Sequence, residues 1–245
     1  MTLAAAFPTR RDEDFRYADL AALAPLWPVA EDRVAVGAGE TAQRALIVAG
    51  DSPAAHDLRI VLGAGARFDL RVLNTATAYG RVAVRVELGA GAQFTLGAAQ
   101  LARGDQVLEL VTEVVHAAPD AVSRQIVRSV AGGTATANYL GKVLVEKGAD
   151  GTDGEQSVRA MLLDRTATAN ARPELEIHAD DVKCAHGCAV GELDANGLFY
   201  MAARGVPPEV AKRLMLQAFV AEAFAGAPNE EMLLEQALGA LEAML

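Results

Sequence analysis

Both cysteines of the chain, Cys184 and Cys188, and two of its four histidines, His178 and His186, fall within residues 175–191, together with the paired acids Asp180 and Asp181. Cys184 and His186 are two positions apart. On a strand that spacing puts both on one face, where a thiolate and an imidazole can meet one soft or borderline metal. Cys188 extends the row to Cys-x-His-x-Cys. A closed zinc site would need His178 as its fourth ligand, and ligand pairs are more often separated by about two to four residues. By spacing alone, a packed cysteine and a satisfied histidine are the better account of Cys184 and His186. Asp180 and Asp181 could be a carboxylate pair for sugar chemistry. Adjacent strand residues face opposite ways, however, so a turn or cap is the better reading. His56 and His116 have no partner cluster nearby and are assigned no chemistry.

The elements that position this segment begin with a repeat. Val36-Gly-Ala-Gly, Leu62-Gly-Ala-Gly and Leu88-Gly-Ala-Gly start at equal intervals (62 − 36 = 88 − 62). The second and third copies continue to Phe68-x-Leu70 and Phe94-x-Leu96. A fixed period of this size marks stacked units. Between the glycine turns, Val82, Val84, Val86 and Leu88 alternate with Arg81, Arg85 and Glu87, the period of a strand. Gly at each corner accepts a positive φ. A stacked β-solenoid of about five to seven coils is therefore expected, in preference to a sandwich with hairpin turns. Strand texture continues over 106–115, 123–130, 134–145 and 157–163, and Leu175–Ile177 reads as the last strand of the run.

Helical pattern flanks the repeat. Residues 12–26 suggest one short helix with Phe15, Leu20 and Leu23 as its stripe, stopped by Pro25 and Pro28, after a loose tail over 1–11. After Gly191 three helices are expected. One is capped by Asp194 and ends before Gly205; one starts at Pro207-Pro208-Glu209 and runs to Phe224; one covers Glu230 to Leu245. A solenoid end needs only one cap, so three helices exceed that need. The expected organisation is a tail and short helix over 1–30, a β-helix core over 31–190 and a helical domain over 191–245.

Composition narrows the function classes. Lys+Arg of 22 against Asp+Glu of 32 gives a net charge of −10, which disfavours a nucleic-acid partner. Two cysteines form no disulfide framework and suit a reducing compartment. No signal peptide and no run of about 18 apolar residues is visible, so no membrane span and a cytoplasmic location are expected. A β-solenoid that binds or cleaves carbohydrate would share the coils, but aromatics are only 5% of the chain. A hexapeptide-repeat acyltransferase would have coils of about 18 residues, shorter than the step between these motifs.

Residues 175–187, followed by Val190-Gly-Glu-Leu-Asp194 and Leu198-Phe-Tyr-Met-Ala-Ala-Arg-Gly205, closely resemble the C-terminal signature of the SufD family, components of the SUF machinery for iron–sulfur cluster assembly. Phe15-Arg-Tyr-Ala-Asp-Leu20, His116-Ala-Ala-Pro119 and Gly141-Lys-Val-Leu-Val-Glu146 resemble further family elements. The resemblance implies a mainly β fold, a right-handed parallel β-helix flanked by helices. It implies a non-catalytic scaffold that pairs with SufB and docks the ATPase SufC through its C-terminal helices, with a possible homodimer when SufB is absent. It implies no stably bound cofactor, only a transient iron–sulfur cluster at the SufB–SufD interface. The family's Lys-Cys-x-His element matches Lys183, Cys184 and His186. His186 is therefore carried over as the residue important for assembly, with Cys184 second, both as transient metal contacts. Phe199, Tyr200, Arg204 and Phe219 are the expected SufC-docking residues, since aromatics and Arg anchor interfaces. Two features depart from the pattern: family members are usually far longer, with a larger N-terminal helical region, and Cys188 stands where a small residue is common.

Overall fold

Val36, Leu62 and Leu88, the first residues of the three glycine motifs, stand in register on three adjacent parallel strands. One turn of a solenoid thus consumes one period of the repeat. The computed structural model describes residues 6–76 and 78–245. Among these, one parallel sheet contains β1 (Glu31–Val36), β3 (Ala54–Leu62), β5 (Tyr79–Leu88), β7 (Val107–His116), β9 (Thr136–Val145) and β11 (Thr168–Ile177), hydrogen-bonded in that order. The other contains β2 (Thr41–Val48), β4 (Arg67–Asn74), β6 (Gln93–Ala102), β8 (Val122–Ala131), β10 (Asp153–Leu162) and β12 (Lys183–Gly191). Each coil contributes one strand to each sheet, giving about six coils.

The two glycines of each motif do different work. Gly65 and Gly91 have φ of 66° and 63°, a left-handed corner that side chains resist. Gly63 and Gly89 are needed for closeness. A Cβ at Gly63 would meet Ala38 N at 2.8 Å, and one at Gly89 would meet Leu62 O at 2.9 Å. The motif fades further along because the coils lengthen. In-register positions advance from Tyr79 to Val107, then to Thr136, then to Thr168, and each of these steps is longer than the one before.

Alternate residues of both sheets fill the interior. Phe68 stacks in register with Phe94, and Leu70 with Leu96; all four are buried. Toward the later coils the interior becomes polar. Thr112 Oγ1 lies 3.0 Å from the Tyr139 hydroxyl and donates to Gln125 Oε1 at 3.2 Å. His116 is fully buried, with Nε2 2.9 Å from Ser123 Oγ.

The single helix expected over 12–26 is instead a 3-10 turn (Glu13–Phe15), a short α1 (Leu20–Leu23) and a second 3-10 turn (Ala24–Leu26). Asp19 interrupts the run because its carboxylate caps α1, accepting from the backbone N–H of Ala21 and Ala22. Residues 1–5 of the expected tail lie outside the described residues. The segment is docked on the first sheet by a buried ion pair. Arg81 Nη1 lies 2.6 Å from Glu109 Oε2, the Arg81 guanidinium sits 4.3 Å from the centre of the Phe15 ring, and Glu109 accepts from Asp19 N–H at 2.9 Å.

Helices α2 (Ala195–Ala202), α3 (Pro208–Ala221) and α4 (Glu230–Glu242) follow the coils. They do not cap the solenoid. Leu216 and Val220 of α3, with Phe224 just beyond it, pack with Leu73, Ala99, Leu101 and Val130 on the outer face of the second sheet. Gly97 permits the approach: a Cβ there would come within 1.8 Å of Ala223 O. Arg71 Nη1 donates to the same carbonyl at 2.8 Å. α3 and α4 therefore lie along the side of the solenoid. No helix among the described residues is long and apolar enough to cross a membrane.

Candidate functional site

β12 is the outermost strand of its sheet, with β10 on one side and, among the described residues, no strand on the other. Its pairing with β10 sets Cys184 against Gly154, His186 against Gln156, Cys188 against Val158 and Val190 against Ala160. All four β10 partners are buried and face the interior. Register carries that orientation to β12, so Cys184, His186, Cys188 and Val190 occupy interior positions on a coil that no further described coil covers. His186, Cys188 and Val190 are accordingly exposed and Cys184 is half-buried. The same-face expectation for Cys184 and His186 holds in this register. β11, the other terminal strand, is likewise without a described strand on its far side.

Burial disfavours a standing thiolate on either cysteine. Burial pushes the Cys184 thiol above its usual range, with a nearby Asp153 adding to the effect and the Gly154 backbone opposing it. Burial also raises Cys188. Both thiols are free, so each needs a metal or a cationic partner to lose its proton. Cys184 Sγ and Ser123 Oγ each lie 3.5 Å from the point a Gly154 Cβ would occupy.

Other expected residues are not brought into this cluster. His178 Nε2 is 2.9 Å from Glu176 Oε1, beyond the end of β11. Among the described residues no group of three or more His, Cys, Asp or Glu is arranged to hold a metal, so the four-ligand zinc reading has no support within one chain. Asp180 and Asp181 sit in the bend between β11 and β12, as a turn reading requires. The last strand of the run is not Leu175–Ile177 alone: β11 begins at Thr168, and β12 follows it. The place of Val190 on the open rung is a further feature that sequence reasoning missed. Pro173 inside β11 was the available signal, because Pro in a strand marks an edge.

The expected docking residues divide in two. Phe199 and Tyr200 on α2 are 76% and 58% exposed, and the exposed Arg204 guanidinium stacks 4.1 Å from the Tyr200 ring centre. Phe219 on α3 is half-buried against the helix–sheet core, with the buried Arg128 guanidinium 5.8 Å from its ring centre. Phe219 serves the chain's own packing, whereas the α2 residues face outward.

Comparison with known proteins agrees with this architecture. Protein ABCI7, chloroplastic, of Arabidopsis thaliana is 38% identical over 129 residues, covering 52% of this chain and 27% of that protein. Iron-sulfur cluster assembly protein SufD of Escherichia coli is 36% identical over 100 residues, 41% of this chain and 24% of that protein. SufD of Bacillus subtilis is 31% identical over 121 residues, 49% and 28% respectively. The matched segments thus span about a quarter of the length of these relatives. The family model described as "SUF system FeS cluster assembly, SufBD core domain" matches residues 33–219, from the start of the coils through Phe219 on α3. With most of its length inside that match, the chain belongs to the SufBD core family of the SUF iron–sulfur cluster assembly system.

Proposed function

We propose that this chain is a cytoplasmic, non-catalytic scaffold of iron–sulfur cluster assembly, and that the open rung at β12 is its working face. One observation carries this reading. Metal-competent side chains that a solenoid would normally bury are presented in a row on a strand edge that no described strand pairs. An unpaired edge offers backbone donors and acceptors to a further strand. A SufB partner adding a strand there would complete the coil stack and enclose His186 and Cys184 at the seam.

In this reading the nascent cluster is cargo, held transiently by the His186 imidazole and the Cys184 thiolate with groups from the partner. The chain's own contribution is to position these donors on a rigid strand and to shield them from water once the seam closes. The helices over 191–245 form the ATPase-docking part. Phe199, Tyr200 and Arg204 on α2 are the SufC contact, an exposed aromatic pair flanked by a cation. No carboxylate pair at the site supports the alternative of a carbohydrate-acting solenoid.

The test is His186→Ala in a complex reconstituted with SufB and SufC. Cluster formation is expected to fall by about tenfold or more while the complex keeps its size. Undiminished cluster formation would overturn the role given to His186.

A further inference from the structure

We propose that Gln156 is a positioning residue for His186: its buried amide oxygen accepts one ring N–H of the imidazole and leaves the other ring nitrogen, unprotonated, facing the seam. The inference rests on the reading of His186 as a donor to the nascent cluster and adds the group that aims it.

The open rung has one polar support. The β10 residues directly beneath Cys184, His186, Cys188 and Val190 are Gly154, Gln156, Val158 and Ala160. Of these four, only Gln156 carries a polar side chain. Neighbouring strands lie about 4.8 Å apart, so side chains in one register column come within hydrogen-bond reach of each other. Gln156 Oε1 is buried and has no hydrogen-bond partner among the described residues. A buried carbonyl without a donor is costly. His186, above it, is the exposed member of the column and is free to turn its ring.

A chain of hydroxyls and amides sets which end of the Gln156 amide is left over. Thr112 Oγ1 donates to Gln125 Oε1 at 3.2 Å. A hydroxyl has one proton, so at its 3.0 Å contact with Tyr139 the Thr112 oxygen accepts and the phenol donates. Burial holds the Tyr139 phenol above its usual range, which keeps that proton in place. The phenol oxygen in turn accepts from Gln156 Nε2 at 3.5 Å. The Gln156 nitrogen is thus engaged by the first sheet, and its oxygen remains. Gln125, next down the same column, has an unpartnered Nε2, but the two atoms do not bond each other. Gln125 is held between Leu96 below and Gln156 above, whereas no described coil covers His186.

A metal-binding imidazole requires this kind of support. One ring nitrogen of the neutral form carries the proton, and only the other has a lone pair for a metal ion. An exposed histidine without a partner exchanges between the two tautomers. An N–H···O=C bond fixes the tautomer and the ring plane together. A neutral amide does so without bringing a charge into the core.

The test reads the imidazole directly, by nitrogen NMR of the full chain carrying isotope-labelled histidine. At about pH 8.5, where an ordinary imidazole is neutral, wild-type His186 should favour one tautomer by about tenfold, the scale of one hydrogen bond. Gln156→Met keeps the length of the side chain and removes the acceptor, so both tautomers should be populated. Gln156→Glu restores an acceptor and should restore the single tautomer. Tyr139→Phe should weaken the preference, because it frees the Gln156 amide to turn. A wild-type His186 that populates both tautomers equally, or a single tautomer kept in Gln156→Met, would overturn the proposal.

The second readout is cluster formation in the complex reconstituted with SufB and SufC. Gln156→Met should lower it by about tenfold, and Gln156→Glu should recover it. Loss with His186→Ala but not with Gln156→Met would overturn the positioning role alone. No loss with His186→Ala would overturn the reading of His186 as a cluster donor, and the tautomer measurement would still decide whether Gln156 aims the ring.

Discussion

Gln156 and His186 occupy the same register position on adjacent strands, yet Gln156 is 1% exposed and His186 lies open to solvent. The register positions are equivalent; they differ in that a further coil covers Gln156 and none of the described coils covers His186. Core positions of the solenoid are thus exposed on its last described coil.

The placement of α3 along the second sheet depends on Gly97. A Cβ there would come within 1.8 Å of the Ala223 carbonyl oxygen. Gly97→Ala is expected to cost on the order of 2–3 kcal/mol by forcing the end of α3 off the sheet. Gly239 on α4 has nothing within 4 Å of such a Cβ, so Gly239→Ala should stabilise by up to about 1 kcal/mol through helix propensity. Urea unfolding of both variants checks the pair. Equal effects would contradict the packing described.

The interior polar patch predicts a pH dependence. Burial pushes His116 down to about 4, against an ordinary value of about 6.5 in the unfolded chain. Between these values the unfolded chain binds the extra proton. Stability contributed by neutral His116 is therefore complete above about pH 6.5 and is lost as pH falls toward 4, by on the order of 3 kcal/mol. In His116→Val the slope of unfolding free energy against pH between 6 and 4.5 should flatten relative to wild type. An unchanged slope would contradict the burial assigned to His116.

Glu109 joins the N-terminal segment to the coils, holding both Arg81 and the Asp19 N–H. Glu109→Gln would leave the Arg81 guanidinium buried without its counter-charge. A loss of about 3–5 kcal/mol is expected, with early proteolytic release of residues before Glu31. A cleavage pattern identical to wild type would argue against this docking.

The aromatic residues of the helices should separate by function. Phe199→Ala and Tyr200→Ala remove exposed rings and are expected to weaken SufC binding by about 30-fold, the hot-spot scale, with no change in thermal stability. Phe219→Ala should instead destabilise the chain by about 2–3 kcal/mol, since its ring packs on the helix–sheet core. Calorimetry and denaturation together distinguish the two outcomes.

Much of the fold was legible because stacking enforces it. Val36, Leu62 and Leu88 recur at equal intervals because each glycine motif must sit under the one before. Legibility declined where physics relaxed the constraint. Coils lengthened by corner insertions lost the period. β11 alternates in sequence, with Ala171, Pro173, Leu175 and Ile177 on the interior side and Arg172, Glu174 and Glu176 between them, but its burial does not alternate because no described strand covers its far edge. The broken helix at 12–26 reflects Asp19 turning its carboxylate onto the backbone, a choice set by docking on Glu109. Cys184 and His186 were visible as a pair, but the open end that exposes them is a property of the whole stack. That α3 would lie along the sheet rested on Gly97, one glycine among 22 in the sequence.

The most direct measurement of the central claim is co-purification of this chain with its native SufB and SufC, followed by mass determination in solution, for wild type and for His186→Lys. A lysine on the open rung places a charge in the seam without disturbing any covered coil. The expected result is a stable assembly containing both partners for the wild type, and loss of SufB with SufC retained for His186→Lys. A wild-type chain that ignores both partners, or a lysine variant that assembles as well as wild type, would contradict a scaffold working through its open end.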